Sequence, residues 1–480
     1  MDRDDVDALV RNSDWSQLRV CVVGLGIAGI SAADALVHLG ASVTMVDGKQ
    51  NPSEIERAKL LEILGATLVL GDDQNLPPDI DLIVVSPGLP PHAPIILAAQ
   101  QIGLPIWGEL ELAWRLRNPE NPAPWLVVTG TNGKTTTTLM LESILKTAGL
   151  KTIAAGNIGT SLVEVVMHPE ELDVIAVEVG APQLPFVYSM SPHSAVCLNL
   201  ADDHIDFFGS FDAYRDAKSR IYRNTQIAAI YNEFDVETLH MVEDADVVEG
   251  CRAIGLTLGI PSPSSLGIVD EIMVDRAFLE GRKESALEMA TIYDLPSTAP
   301  HNVFNALAAS ALARSFGVSP AAVKEGLLQW EPAPHRIAFV AQINGVDYID
   351  DSKATNAHAA RTSLLAYESV VWIAGGLAKG QLFDDLIIDC SSRLKGVVLL
   401  GVDQEVIAQS LSTHAPDIPV RRVLDNSPNA MQVVLEFAAE LADEGDTVLL
   451  APGCASWDMF KDYSHRGQAF AHAVKEMENE

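Results

Sequence analysis

Cysteine is scarce in this chain of 480 residues. The five present, Cys21, Cys197, Cys251, Cys390 and Cys454, are an odd, scattered set with no C-x-x-C. That excludes a disulfide framework and a thiolate zinc site, and it fits a reducing compartment. Positive charge is also scarce. Lys and Arg total 32 against 65 Asp and Glu, a formal charge of −33, and no basic run interrupts the excess. Such a surface repels nucleic acid and anionic lipid. Long apolar runs are missing as well. The longest, residues 20–30, contains three glycines and falls short of the roughly 20 residues a membrane span needs. The first five residues, Met1-Asp2-Arg3-Asp4-Asp5, are acidic where a secretory leader would be basic. The expectation is a cytoplasmic protein, with no nucleic-acid partner and no membrane insertion.

Apolar residues make up 48% of the chain and charged residues 20%, a balance that buries cores and excludes global disorder. At roughly 100–200 residues per domain, three domains are expected. Two proline-rich seams, residues 118–124 and 331–334, mark the joints, since proline disfavours helix at itself and its predecessor. They divide the chain into 1–121, 122–333 and 334–480. Each piece carries short continuous apolar runs separated by helical patterns: 19–23 and 43–47, then 125–129, 173–178 and 194–199, then 370–376, 396–400 and 447–450. Such runs predict parallel strands covered on both faces. The fold class is therefore α/β in three domains: Rossmann-like at the N-terminus, a P-loop-type nucleotide-binding unit in the centre and Rossmann-like again at the C-terminus. Residues 262–290 are less regular and predict a small antiparallel excursion.

The strongest local signal is Gly130-Thr131-Asn132-Gly133-Lys134-Thr135-Thr136. It follows the strand 125–129 and precedes a helix predicted over 137–148. Glycines let backbone N–H groups face phosphate oxygens, and the helix N-terminus adds partial positive charge. Lys134 can reach the terminal phosphates of ATP, and the Thr135 hydroxyl can meet Mg²⁺. Val128 stands where the full phosphate-loop pattern has a first glycine. The plainer alternative is a strand–helix turn with an incidental lysine. A second loop, Gly24-Leu25-Gly26-Ile27-Ala28-Gly29, matches G-x-G-x-x-G, with Asp47 ending the next strand. It leaves NAD, FAD and a nucleotide-sugar diphosphate all open, as well as simple helix–sheet packing. Ser86-Pro87-Gly88 ends a strand at the same edge.

Triphosphate chemistry needs a divalent cation and acidic groups at strand ends. Glu178 follows the apolar run 174–177, where an unpaired carboxylate is costly to bury. Asp202, Asp203 and His204 lie just past the strand 194–199. A structural salt bridge would explain Glu178 equally, and a surface position would explain His204. Lys218 has nothing in its own pattern beyond a solvated helical lysine.

In order along the chain, the Gly130–Thr135 loop, Gly156-Asn157-Ile158-Gly159, Asn199…Asp203-His204, Ala217-Lys218…Ile221-Tyr222, His301-Asn302…Asn305-Ala306, His335-Arg336 and Asp351-Ser352-Lys353-Ala354-Thr355-Asn356 resemble the Mur ligases. The resemblance covers nearly the whole chain. The 351–356 segment and Pro452-Gly453-Cys454-Ala455-Ser456-Trp457-Asp458 resemble the D-glutamate-adding branch. The resemblance implies an ATP- and Mg²⁺-dependent ligase joining D-glutamate to UDP-N-acetylmuramoyl-L-alanine through an acyl phosphate, in cytoplasmic peptidoglycan precursor synthesis.

Role by role, the resemblance implies the following. Ile27, Ala28, Asp47, Ser86 and Gly88 meet the uridine diphosphate end of the acceptor, and Asn157 and Gln183 meet its sugar–peptide end. Gly130 to Thr136, Asn302, Asn305, Arg336 and Asp351 hold ATP. Thr135, Glu178, His204 and Lys218, the last as a carbamate, hold the metal, and Lys134, Glu178, His204 and Lys218 act in catalysis. Lys353, Thr355, Lys379, Ser456 and Tyr463 hold D-glutamate. The chain departs from the family's Glu-x-Ser-Ser-Phe-Gln, reading Glu178-Val179-Gly180-Ala181-Pro182-Gln183, and Gly48 stands where a threonine is common. Rival readings are a folylpolyglutamate-type ligase, a nicotinamide oxidoreductase and a non-catalytic nucleotide-binding homologue.

Overall fold

The computed structural model describes residues 3–48, 52–203, 205–331, 335–425 and 430–478. The apolar runs form strands of three sheets. The first sheet holds β1 (Arg19–Val23), β2 (Ser42–Asp47), β3 (Thr67–Leu70), β4 (Leu82–Val85) and β5 (Ile106–Gly108) in the order β3-β2-β1-β4-β5. All its pairs are parallel. The second holds β6 (Trp125–Thr129), β7 (Thr152–Gly156), β8 (Val174–Glu178), β9 (Ser194–Cys197), β10 (Ala228–Asn232), β11 (Arg252–Leu256), β12 (Ser265–Val269), β13 (Ile272–Asp275) and β14 (Leu287–Thr291). Its order is β14-β13-β12-β11-β10-β9-β6-β8-β7, antiparallel only at β12-β13-β14. The irregular stretch is thus the expected antiparallel excursion. The third holds β15 (Ala338–Ile343), β16 (Val346–Asp350), β17 (Val370–Gly375), β18 (Leu394–Leu400), β19 (Val420–Arg422) and β20 (Thr447–Leu450) in the order β15-β16-β20-β17-β18-β19. Apolar clusters lie on both faces of each sheet, as parallel strands require.

Two compact units result, Met1–Thr298 with Asn302–Trp330, and Glu331–Glu480 with Ala299–His301. The first two sheets share one unit because they share a core. Val20 and Val22 of β1, Trp107 of β5 and Val127, Ile175 and Val177 of the central sheet belong to one buried cluster. Two buried carboxylates reinforce the seam. Glu109 accepts from the Ser161 hydroxyl at 2.6 Å and the Val163 amide at 3.0 Å, and Glu111 from the Ser189 hydroxyl at 2.6 Å and the Tyr188 amide at 2.8 Å. The first proline seam carries no helix or strand over residues 118–124. Of the second, Pro332, Ala333 and Pro334 lie outside the described residues.

Register places the site. β6 pairs with β8 so that Val128 faces Glu178, and with β9 so that Thr129 faces Cys197. The carboxyl ends of three neighbouring strands therefore bring Gly130, Glu178 and Asn199 together, where ligands gather in open α/β sheets.

Candidate functional site

The helix after the central loop is α2 (Lys134–Thr147), following α1 (Ile27–His38) after the first loop. It begins three residues before the start expected from the sequence. Four threonines in a row are poor helix formers, but Gly133 at φ +85° turns the chain straight into the helix. A side chain at 133 is barred for a second reason: a Cβ there would lie 2.4 Å from Oδ1 of Asn305. Asn305 sits on α4 (Pro300–Ser315), which follows α3 (Phe211–Ser219). It is buried over the loop, with Asn302 one turn earlier.

The loop is splinted by the chain beyond β9. The Thr131 amide donates to the Asn199 carbonyl at 3.0 Å, and the Asn132 amide to Asn199 Oδ1 at 2.9 Å. The Thr131 hydroxyl meets Tyr214 OH at 2.9 Å. Lys134 Nζ donates to the loop carbonyls of Gly130 at 2.9 Å and Thr131 at 2.8 Å. Thr135 and the buried Thr136 form the first turn of α2.

Glu178, at the end of β8, is 1% exposed. Its Oε1 accepts from Asn157 Nδ2 at 2.8 Å, while Oε2 is buried with no hydrogen-bond partner. An orphaned carboxylate oxygen costs about 1–3 kcal/mol or more, and it asks for a cation. Lys218, from α3, corrects the sequence reading of a solvated lysine: it is 1% exposed. Its Nζ donates to the Gly130 carbonyl at 2.7 Å and lies 3.4 Å from Thr129 Oγ1. Burial, with Lys134 adding like charge, brings its pKa down to about 7. A neutral amine there can add CO₂ and become an anion. Glu178, Thr135 and a carbamylated Lys218 would offer the kind of oxygen donors that Mg²⁺ takes. His204 lies outside the described residues. Among the described residues, no three His, Cys, Asp or Glu side chains gather as a ready-made metal cluster.

At the first glycine loop, a Cβ on Gly29 would lie 1.8 Å from the Gly24 carbonyl oxygen, so only glycine lets α1 sit this close. Ile27 opens α1 and is 57% exposed, with Ala28 beside it. Asp47 Oδ2 accepts from the Leu25 amide at 2.7 Å, so this residue also shapes the loop. Ser86 packs against Gly24, and Gly88 is exposed at the same edge. The missing side chain at Gly48 has a replacement that the sequence did not reveal: the Asp73 carboxylate lies 2.4–2.7 Å from where a Cβ would stand. Near Gly180, the Asn157 amide fills part of the space, 3.1 Å from a hypothetical Cβ. Gln183 Oε1 accepts from the Gly180 amide at 2.8 Å.

In the second unit, Arg336 and Asp351 lie at the start and end of the β15–β16 hairpin. The buried Asp351 carboxyl accepts from the Ser363 hydroxyl and, at 3.3 Å, from the Ile337 amide. Burial raises its pKa to about 7, against a smaller opposing pull from Ser363 and Arg336. Lys353 Nζ lies 3.9 Å from the Tyr463 ring centroid, and Lys379 Nζ lies 4.0 Å from that of Trp457. Thr355 follows Lys353, and Ser456 is buried beside Trp457. One residue escaped sequence reasoning. Arg466, on α5 (Tyr463–Glu478), is 1% exposed. Its guanidinium donates to Ser352 Oγ at 3.0 Å, to the Ser352 carbonyl at 2.9 Å and to the Cys454 carbonyl at 3.1 Å. It ties the 351–356 segment to the 452–458 segment. A lone arginine three residues into a helix gave no signal of this.

Three family models match the chain: a MurD-like N-terminal domain of Mur ligases over residues 18–108, the Mur ligase middle domain over 128–313 and the Mur ligase glutamate ligase domain over 335–454. Proteins named UDP-N-acetylmuramoylalanine–D-glutamate ligase are close relatives. That of Streptomyces coelicolor is 53% identical over 97% of this chain and 99% of its own. That of Thermobifida fusca is 48% identical over 95% and 98%. Among solved structures, the UDP-N-acetylmuramate–alanine ligase MurC of Thermotoga maritima aligns over 96% of this chain and 100% of its own, with TM-score 0.57 and 21% identity. The bifunctional folylpolyglutamate synthase/dihydrofolate synthase of Yersinia pestis aligns over 73% and 89%, with TM-score 0.53 and 19% identity. The fold is thus common to both ligase types, and near-full-length identity makes the distinction: the chain belongs to the Mur ligase family, with a MurD-like N-terminal domain.

Proposed function

We propose that the chain is an ATP-dependent ligase that adds D-glutamate to UDP-N-acetylmuramoyl-L-alanine, as a cytoplasmic monomer serving peptidoglycan precursor synthesis. The proposed domains are 1–121 for the acceptor, 122–333 for ATP and 334–480 for the amino acid. The observation that carries the reading is the buried, unpartnered Glu178 Oε2 beside a glycine loop whose Gly130 carbonyl takes two lysines.

The acceptor's terminal carboxylate oxygen attacks the γ-phosphorus of ATP, the bond to the bridging oxygen breaks and ADP leaves. Two anions approach, so the loop amides and Lys134 offset their repulsion. Thr135, Glu178, His204 and carbamylated Lys218 would hold Mg²⁺, which when bound would further neutralise phosphate charge. The D-glutamate amine then attacks the acyl carbon, losing a proton, and phosphate departs as the amide forms. Gly130 to Thr136 position the phosphates, and Asn302 and Asn305 face the adenine side. Ile27 and Ala28 at the α1 N-terminus take the diphosphate, Asp47, Ser86 and Gly88 the uridine, and Asn157 and Gln183 the sugar–peptide. Lys353, Thr355, Lys379, Ser456 and Tyr463 take the two carboxylates of D-glutamate, and Arg336 and Asp351 serve ATP. Positioning supplies most of the acceleration, on the order of 7–11 kcal/mol in favourable cases.

The test is phosphate release from ATP with UDP-N-acetylmuramoyl-L-alanine and a panel of amino acids. Release that requires the acceptor and D-glutamate together is expected. Release indifferent to either, or driven by another amino acid, refutes the assignment. No release at all favours the non-catalytic reading prompted by Gly180-Ala181.

A further inference from the structure

Trp457 has no part in the reading so far. It follows the buried Ser456 yet is 65% exposed. A tryptophan left in solvent forgoes the large apolar burial its ring offers. Its ring instead carries the ammonium of Lys379, 4.0 Å from the centroid. Lys379 adopts φ +52°, a left-handed conformation uncommon for a residue with a Cβ. Two segments are pinned to make the contact. Leu377 and Ala455 exchange backbone hydrogen bonds of 2.9 and 3.0 Å, and the Ala378 amide donates to Asp403 Oδ2 at 2.8 Å. The same unit repeats the device, with Lys353 3.9 Å from the Tyr463 ring.

We propose that Trp457 is a positioning residue for the amino-acid substrate: its ring holds the Lys379 ammonium in place to receive one carboxylate of the dicarboxylic amino acid. This rests on the reading of Lys379 as a D-glutamate contact. A long lysine side chain loses much rotamer freedom when it binds. A ring that restrains it beforehand lowers that cost, and the carboxylate approaches an ammonium already in place. An exposed cation–π contact corresponds to about a two- to fivefold effect on binding.

The test uses the full chain and measures kcat and the three KM values for Trp457→Leu, Trp457→Phe, Lys379→Met and the Trp457→Leu/Lys379→Met double variant. Trp457→Leu is expected to raise the KM for D-glutamate about two- to fivefold, with kcat and the KM values for ATP and the acceptor unmoved. Trp457→Phe keeps a ring and restores most of the affinity. In the Lys379→Met background, losing the tryptophan adds nothing. If Lys379→Met raises the D-glutamate KM and Trp457→Leu does not, the positioning role is overturned while the lysine assignment stands. If Lys379→Met leaves that KM unmoved, the lysine assignment itself fails. A rise in all three KM values for Trp457→Leu shows general loop damage and also overturns the proposal.

Discussion

The Gly130 carbonyl oxygen accepts from two ammonium groups, Lys134 Nζ at 2.9 Å and Lys218 Nζ at 2.7 Å. Two cations on one acceptor repel each other, and Lys134 is among the causes that lower the Lys218 pKa. Their roles separate on this basis. Lys134 stays at the mouth of the phosphate loop, while Lys218 is wholly buried and the easier of the two to leave uncharged.

Lys134→Ala should therefore abolish ATP-dependent phosphate release and leave binding of the UDP-sugar acceptor within about twofold, a change well under 1 kcal/mol. Calorimetric titration of the acceptor checks the second half. Parallel loss of both would contradict the separation of the two glycine loops.

Lys218 with a pKa of about 7 is protonated below that pH and a free amine above it. CO₂ adds only to the amine, so the carbamate carbon signal from labelled CO₂ should grow as pH rises through about 7. A pH-independent signal would contradict this. Lys218→Ala should lose activity and regain part of it with a short-chain carboxylate. Full activity without rescue would remove Lys218 from the site.

Asp351 gives a stability prediction of defined sign. Its carboxyl is held up at about 7, above the ordinary value of about 3.9. Between those limits the folded chain keeps a proton that the unfolded chain has lost. The contribution is whole at low pH and is lost as pH rises through about 7. Asp351→Asn should melt higher than the parent at pH 8.5 (roughly 1.5 units above that midpoint), by a smaller margin at about pH 5, and level with it only below about pH 3.9. An equal shift at both pH values would refute the buried-acid account.

Arg466→Met keeps the volume and removes every donor. The carbonyls of Ser352 and Cys454 then lose their partners, at about 1–3 kcal/mol each. Denaturant melts should show a loss of about 2–4 kcal/mol in the second unit. The KM for D-glutamate should rise more than that for the acceptor. Unchanged stability would mean that water replaces the guanidinium.

The phosphate loop was legible because its signal is local: glycines, a lysine and a hydroxyl in seven consecutive residues between a strand and a helix. The strand ends of β1, β4, β6 and β20 could be read directly, since buried parallel strands are continuous apolar runs. The start of α2 could not. Four threonines argue against helix, and the capping glycine overrides them through its positive φ. Lys218 and Arg466 were invisible for a different reason. The acceptor of Lys218 is 88 residues away, and those of Arg466 are 114 and 12 residues away. Only tertiary packing makes either one special. Asp73 at Gly48 is the same case, a carboxylate brought across by folding into a space that the sequence shows only as a missing side chain.

The shared core and buried carboxylates that join the first two sheets have a bearing on how the molecule comes apart on heating. Residues up to Trp330 should lose structure together, since neither sheet can expose its inner face without uncovering the other's. The remaining unit, with apolar layers of its own, is free to melt at a separate temperature. A calorimetric trace should then resolve into two endotherms rather than three, with adenine nucleotide displacing the one that contains Gly130.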